Sequence, residues 1–138
     1  MDLYLKSMAA SRPTPRLTDL AARQVVDLFD ALPDVQFFVK DRRSRFVKVN
    51  EAFLAMHGCA APAELVGKTD YDFHPPALAA QYVAEDRQVM RSGRPLRDRA
   101  WLVGDHAGVP QWYLCTKLPL HDAKGEVCGV AEIGRAHV

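Results

Sequence analysis

The sequence has few of the features that mark secreted, metal-binding or membrane-spanning proteins. Its three cysteines are Cys59, Cys115 and Cys128, an odd number without CxxC spacing, which argues against a disulfide framework or a zinc site. No apolar run approaches the ~18 residues needed to cross a bilayer. The N-terminus lacks the basic-then-apolar order of a secretory signal. We therefore expect a cytoplasmic protein that binds no metal and contacts no membrane.

The chain also has little net charge, with a formal value of +1. This balance gives no reason to expect nucleic acid as a direct partner. One basic cluster falls on a predicted hairpin turn and has no interleaved aromatic residues to stack on bases. We interpret it as a solvated turn. Its members are Lys40, Arg42, Arg43 and Arg45.

Recognised catalytic motifs are absent as well: there is no nucleophile elbow, phosphate-binding glycine loop or HExxH pair. Asp70, Asp72 and His74 place two carboxylates and a histidine within five residues. Such a group could serve acid–base chemistry or bind a metal, but its spacing is not a specific ligand signature. We interpret these residues as polar caps of a loop that precedes a helix.

The 138 residues are 49% hydrophobic, which is enough for one globular domain with a core. Residues 1–15 show little periodicity and are predicted to be flexible. Apolar residues then recur at three- and four-residue steps, which predicts an amphipathic helix over 16–33 that Pro33 ends. The remaining segment, 34–138, is predicted to be the folded domain.

Within that segment the hydrophobic pattern alternates between strands and helices. Asn50 is placed to cap a short helix, and Pro76 suits the first turn of a longer one. The predicted elements are strands at 36–40 and 45–49, helices at 51–57 and 76–91, and strands at 96–103, 111–120 and 126–135. The order predicts an α+β fold with a five-stranded antiparallel sheet, helices on one face and the N-terminal amphipathic helix.

The closing hairpin also bears on the cysteines. If Leu120 and Glu126 flank its turn, Cys115 lies near Ala131 and Cys128 near Leu118. The two thiols would then be too far apart for a disulfide, so all three cysteines are predicted to be free.

Four short motifs, in this order, resemble those of the PAS family. They are LPD with FFVKD at 32–41, FVKVNEAF at 46–53, ELVGKT at 64–69 and PLHDAKGEVCG at 119–129. The resemblance covers roughly residues 27–135. It implies the PAS fold, and it makes residues 34–138 a PAS sensor domain.

The resemblance further implies a sensory domain in signal transduction rather than an enzyme. Such domains bind a small molecule or dimerise, and so regulate an attached output; we expect that output to be transcription regulation. Many PAS domains end in aspartate, a β-branched residue and threonine, whereas this chain has Ala136, His137 and Val138. We therefore expect it to be a sensory fragment of a longer regulator.

The cofactors of the family are not expected here. Haem-binding relatives supply an axial histidine from the long helix, but residues 77–91 contain none, and His74 is the only substitute. Light-sensing flavin domains carry a cysteine in a stretch that corresponds to residues 67–73, and this chain has no cysteine there.

A ligand site is predicted between the sheet and the helices that cover it. Alternation along 111–120 separates Trp112 and Thr116 from Lys117, and because Lys117 should seek water, we expect the Trp112 face to be the inner one. The ligand is then expected to be small and apolar or aromatic, with Thr116 as a polar anchor and no inward charge near it. The predicted site residues are Phe53, Met56, Tyr71, Phe73, Tyr82, Trp101, Trp112, Leu114 and Thr116.

A homodimer is predicted through the N-terminal helix, since an isolated helix of that length is marginal in water unless its apolar stripe is buried. The predicted interface residues are Leu17, Leu20 and Leu28. One alternative function is an interaction module without a ligand. Another, from a different class, is a small α+β-roll isomerase with Asp70 or Asp72 as base and Tyr71 as donor.

Overall fold

A computed structural model describes residues 22–136 of the chain. Its helices are α1 (Ala22–Asp30), α2 (Glu51–Met56) and α3 (Pro76–Ser92), and two 3₁₀ turns lie at Pro62–Glu64 and Asp70–Asp72. Its strands are β1 (Val35–Asp41), β2 (Phe46–Val49), β3 (Leu96–Gly104), β4 (Pro110–His121) and β5 (Val127–Ala136). The predicted order of elements and the α+β fold class are confirmed.

The five strands form one antiparallel sheet in the order β2-β1-β5-β4-β3. The chain leaves the sheet at one edge, after β2, and re-enters it at the other edge, in β3. The segment 50–95 must therefore cross the whole sheet, and it carries α2, both 3₁₀ turns and α3 over one face. We call this covered face the inner face and the opposite one the outer face.

Asn50 joins β1, β2 and α2, as the sequence predicts for a capping residue. Its side-chain Oδ1 accepts hydrogen bonds from the backbone N–H of Phe53, at 3.1 Å, and of Phe37, at 3.0 Å. Its Nδ2 donates to the carbonyl of Val35, at 2.8 Å. Since the side chain is buried, these bonds fix the direction in which the chain leaves the sheet.

The register of the closing hairpin differs from the prediction. His121 pairs with Val127, Leu118 with Ala131 and Cys115 with Gly134, because β4 runs one residue further and an irregularity follows Leu120. The predicted neighbours of Cys115 and Cys128 are therefore wrong. The residue opposite Cys115 on β5 is Gly134, which is far from Cys128 along that strand. The two thiols are therefore not adjacent, and all three cysteines are free.

A glycine is required at one position where β5 pairs with β1. A Cβ added at Gly129 would meet the carbonyl oxygen of Lys40 in a severe clash. The absence of a side chain lets the two backbones approach closely at this point.

An aromatic core lies where β1, β2 and α2 meet. Phe38 and Phe53 have ring centroids 4.4 Å apart, and Phe46 packs against both. The buried members of this core are Phe38, Phe46, Val49, Phe53, Leu54 and Leu65. This aromatic core fills one end of the inner face. The rest of the inner face is packed by buried ionisable side chains, which are described below.

Helix α1 lies against β1, where Phe29 stacks on Phe37 with ring centroids 4.3 Å apart. Leu28 is 65% exposed. The predicted flexible segment 1–15 and two predicted interface residues, Leu17 and Leu20, lie outside the described residues. No helix in the described range is long and apolar enough to cross a membrane.

Candidate functional site: the charged inner cavity

The inner face of β4 is the one that carries Lys117, which reverses the prediction. Lys117 is buried, with its side chain 3% exposed, and Cys115 beside it on the same face is also buried. Trp112 is 52% exposed and Leu114 is 42% exposed, because both lie on the outer face. Thr116 is on the outer face as well, where its Oγ1 accepts a hydrogen bond from the backbone N–H of Asp98, at 3.2 Å.

Lys117 points inward because acidic side chains from α3 and β5 surround its ammonium group. Its Nζ lies 2.7 Å from Asp86 Oδ1, 3.3 Å from Glu132 Oε1 and 3.4 Å from Glu85 Oε1. It also donates to the backbone carbonyl of Tyr82, at 3.2 Å. The expectation that a lysine must reach water is wrong here, because the ion pairs replace its hydration.

A second lysine is buried in the same network. Lys40, on β1, lies 2.6 Å from Asp70 Oδ2 and 2.9 Å from Asp86 Oδ2. Its Nζ also lies over the rings of Phe38 and Phe46, 5.3 and 5.0 Å from their centroids. Asp86 thus bridges the two lysines, one through each carboxylate oxygen.

Lys40 therefore does not belong to the solvated turn in which the sequence placed it. Arg42, Arg43 and Arg45 are exposed there, as predicted. Lys40 points inward instead because it shares the face of Phe38, two residues before it on β1.

Burial and ion pairing shift the pKa values of the residues in this network in opposite directions. Burial disfavours the charge on Lys40, but Asp86 and Asp70 outweigh it, so the pKa of Lys40 is raised. The same holds for Lys117, whose pKa is raised because Glu132 and Asp86 outweigh its burial. Burial would raise the pKa of Asp86, yet the two lysines hold it below its usual range. These three groups are ionised at neutral pH.

Glu132 differs from the other members of the network. Burial raises the pKa of Glu132 to about 7, even though Lys117 and Lys40 act in the opposite direction. Glu132 is directly opposite Lys117 in the register of β4 and β5, at the centre of the sheet. The sheet thus carries, near its middle, a carboxyl group that exchanges a proton near neutral pH.

A ladder of rings runs beside the ionic network. His57, His74, Tyr82 and Trp101 follow one another with centroids 5.5, 5.3 and 5.1 Å apart, each pair in edge-to-face contact. The Trp101 indole N–H donates to Glu85 Oε1, at 3.0 Å. Burial lowers the pKa of His57 and of His74, so both imidazoles are neutral at pH 7.

The ionic network and the ladder of rings line an inner cavity of about 40 Å³. A water molecule needs roughly 10–15 Å³ measured in this way, so the cavity as folded has room for a few waters at most. Its polar lining residues are Gln36, Lys40, His57, Asp70, His74, Tyr82, Tyr113, Lys117 and Glu132, and its other lining residues are Phe38, Phe53, Met56, Trp101, Val103 and Cys115.

Four of the nine predicted ligand-site residues line this cavity: Phe53, Met56, Tyr82 and Trp101. The other five do not. Trp112, Leu114 and Thr116 are on the outer face, Tyr71 is 53% exposed, and Phe73 packs on Phe46 with a centroid distance of 6.3 Å. The expected absence of inward charge is wrong.

One signal in the sequence pointed to the missed residues. Asp86 falls on the apolar stripe of α3, which also contains Ala79, Tyr82, Val83 and Val89. A carboxylate at such a position needs a buried cationic partner. Its partners on β1 and β4 are distant in sequence, so the stripe alone could not identify them.

Asp70, Asp72 and His74, the three residues considered for acid–base chemistry, lie in different environments. Asp70 is buried against Lys40, whereas Asp72 accepts a hydrogen bond from the Thr69 backbone N–H, at 2.9 Å. The capping interpretation is thus confirmed for Asp72 and wrong for Asp70. His74, the suggested haem ligand, lines the inner cavity between His57 and Tyr82.

The outer face borders a second, open cleft of about 1240 Å³. Leu114, Thr116 and Ile133 line its floor, and Leu32 and Pro33 form part of its wall. Leu114 and Ile133 are each more than 40% exposed. This cleft is far larger than the inner cavity, and both are lined by Gln36, Met56 and Tyr113.

Comparison with known proteins agrees with the topology. A diguanylate cyclase from Vibrio cholerae serotype O1 (strain ATCC 39541 / Classical Ogawa 395 / O395) is 31% identical over 97 residues, which are 70% of this chain and 30% of that protein. This chain therefore spans less than a third of that curated relative.

Solved structures give the same architecture. Vibrio cholerae VqmA, described as a dimer and a LuxR-type receptor, aligns with a TM-score of 0.73 and 27% identity over 86% of this chain and 52% of VqmA. A structure described as VqmA bound to DPO aligns with a TM-score of 0.73 and 26% identity over 84% of this chain and 58% of that one. The PAS domain of Bordetella pertussis BvgS aligns with a TM-score of 0.70 at 24% identity, over 84% of this chain and 85% of that domain, and supports the fold.

A family model described as the PAS fold matches residues 29–136, almost the whole described chain. The match begins in α1 and ends with β5, so it includes every strand and both helices of the inner face. This chain belongs to the PAS family.

Proposed function

We propose that this PAS domain is a sensor that binds a small molecule in its inner cavity and thereby regulates an attached output. The observation that carries this proposal is the polar lining of the cavity. Tyr82 Oη and His57 Nε2 are buried and have no hydrogen-bond partner within the described part of the chain. Such groups are costly unless something satisfies them, and a ligand with matching polar atoms would do so.

Binding requires the cavity to enlarge, because about 40 Å³ does not hold an organic molecule. Met56 is the side chain best suited to move: it lines the cavity, is only half-buried and is flexible. The ligand must therefore select a more open state, whose population it increases. That change of state is what the output would read.

The similarity to VqmA supports both ligand binding and a transcriptional output, since one VqmA structure contains DPO and another contains a ligand and DNA. This chain covers only about half of VqmA. The output is therefore proposed by analogy, and DPO itself is not assigned to this chain.

Tryptophan fluorescence gives a direct test. The chain has two tryptophans, and only Trp101 lines the cavity. In the Trp112→Phe variant, the emission of Trp101 should shift when a small-molecule extract of the native host is added. Native mass spectrometry of the same sample should show one added mass per protomer. Loss of both signals in a cavity-filling Cys115→Met variant would locate the site, whereas no shift and no added mass would contradict ligand sensing.

A second function, an interaction module that binds no ligand, is favoured by the small cavity volume. In that case the domain would act only through self-association.

We propose a homodimer in either case, formed by the outer face together with the N-terminal helix. Its support is the exposure of Leu28 on α1 and of Leu114 and Ile133 on the sheet. Mass in solution, measured for the full chain and for a chain without residues 1–26, tests it; an unchanged mass would contradict the helix's part in the dimer.

A further inference from the structure

The chemical class of the ligand can be inferred from the hydrogen-bonding state of the cavity. This inference rests on the proposed ligand-binding function, which it makes more specific. Three features of the lining are relevant: the protonation site of His57, the occupancy of the two ammonium groups, and the balance of charge around them.

His57 lines the cavity and has one ring nitrogen that can act as an acceptor. Its Nδ1 lies 2.9 Å from the backbone carbonyl of Phe53. A carbonyl oxygen can only accept a hydrogen bond, so Nδ1 must carry the proton. In the neutral imidazole the other nitrogen, Nε2, then has a free lone pair. This atom is buried and has no partner among residues 22–136.

The two ammonium groups offer little to a ligand. Lys117 Nζ has three carboxylate oxygens and one carbonyl oxygen within 3.4 Å. Lys40 Nζ has two carboxylate oxygens within 2.9 Å and lies over two phenyl rings. An anion that entered the cavity would have to displace these contacts to gain a cationic partner.

The charge balance also disfavours an anion. Two lysines face four carboxyl groups, those of Asp70, Glu85, Asp86 and Glu132. Arg99 adds one positive charge, but from the rim, where its side chain is 57% exposed and pairs with Glu85. Even with Glu132 protonated, the buried part of the network carries no excess positive charge.

We propose that the inner cavity selects an uncharged small molecule that donates an N–H or O–H hydrogen bond to His57 Nε2, with Tyr82 Oη as its second polar contact, and that it rejects anions. An apolar molecule without a donor would leave Nε2 buried and unpaired, which carries the full cost of a desolvated acceptor. A donor is therefore the feature that distinguishes the ligand from other molecules of equal size.

Three small probe molecules separate the effect of a hydrogen-bond donor from the effect of charge. Pyrazole is a neutral ring with one N–H donor, isoxazole is a ring of the same size in which oxygen replaces that N–H, and acetate is a small anion. Binding is followed by the nuclear magnetic resonance signals of the His57 and Tyr82 rings. Pyrazole should bind about tenfold more tightly than isoxazole, the effect of one well-formed hydrogen bond, and acetate should not bind at these rings.

The variant His57→Phe removes the acceptor and retains an aromatic ring in the ladder. It should reduce the preference for pyrazole over isoxazole to about one, while the same substitution at the exposed His121 should leave the preference unchanged. A long-range proton–nitrogen spectrum of the wild-type protein reads the tautomer directly, so the inference is tested even if the variant does not fold. Nδ1–H is expected for His57.

The outcomes distinguish this inference from the proposed function. If isoxazole or acetate binds as tightly as pyrazole, or if His57 is in the Nε2–H form, the assigned ligand class is wrong although sensing stands. If none of the probes binds and no ligand is recovered from cells, the sensing function fails and this inference fails with it.

Discussion

Away from the aromatic core, the two faces of the central sheet reverse the usual distribution of side chains. The inner face buries Lys40, Lys117 and Glu132, all three of them ionisable. The outer face exposes Leu102, Trp112, Leu114, Leu118 and Ile133. In most half-covered sheets the apolar face is the covered one. Here, the covering helix α3 brings its own carboxylates, so charge is buried in pairs and apolar surface remains outside.

This difference shows what alternation along a strand can and cannot establish. Along β4, alternation correctly separates Lys117 from Trp112 and Thr116. It does not state which group faces the helices, because that depends on Asp86 and Glu132, which come from other elements. Charge predicts exposure only for a side chain that has no buried partner of opposite charge.

The strongest test removes the residue that joins the two lysines. Asp86→Ala should destabilise the domain by about 3–5 kcal/mol, since it leaves two buried ammonium groups without their common partner. Urea unfolding measures this change. On the same helix, Gln88→Ala, at an exposed position, should change the stability by less than about 0.5 kcal/mol. Equal, small effects would show that the inner network does not stabilise the fold.

The inner face should also confer a pH dependence through Glu132. Its pKa in the folded domain, about 7, lies above its ordinary value of 4.5, so folding favours the protonated form. This contribution is fully present below pH 4.5 and is lost as the pH rises to 7, with a total on the order of 3 kcal/mol. The lowered pKa values of His57 and His74 act in the opposite direction below pH 6.5.

A difference experiment isolates Glu132 from the histidines. The stability of Glu132→Gln relative to the wild-type protein should improve as the pH rises from 5 to 8, because only the wild type then loses its favoured proton. Chemical unfolding at several pH values gives this difference, and His57 and His74 cancel in it. A constant difference across the range would mean that Glu132 titrates normally.

The outer face should affect association rather than folding. Leu114→Ser, at a position that is 42% exposed, should change the stability of the monomer by less than about 0.5 kcal/mol. If the proposed dimer buries this face, the same change should weaken dimerisation by roughly 10- to 150-fold, since a buried leucine contributes about 1.5–3 kcal/mol. Analytical ultracentrifugation compares it with Val66→Ser, an exposed apolar residue outside the sheet and outside the outer cleft. Equal effects of the two variants would remove the outer face from the interface.

The smallest effect on function is expected at Thr116, which was predicted from the sequence to be a polar anchor for the ligand. Thr116→Val removes one exposed hydrogen bond from the Asp98 N–H and should cost roughly 0.5–1 kcal/mol. Because Thr116 lies on the outer face, its replacement should leave ligand binding in the inner cavity unchanged. A loss of binding in a titration would place the ligand on the outer face.

The sequence by itself determined the order of the elements and hence the PAS fold. Local signals were sufficient for this: Asn50 caps α2, Pro76 begins α3, and Gly125 supplies the positive φ, 81°, of the closing turn. These signals act within a few residues, so no knowledge of the tertiary structure was needed.

Only the tertiary structure decided which face of the sheet is covered and what the cavity contains. Lys40, Asp70, Asp86, Lys117 and Glu132 come from five separate elements, and their burial is favourable only when all five are assembled. Three of the nine residues predicted for the ligand site, Trp112, Leu114 and Thr116, lie on the outer face for this reason. The free energy of a buried charge depends on partners that are remote in sequence, and a pattern read along one strand does not contain them.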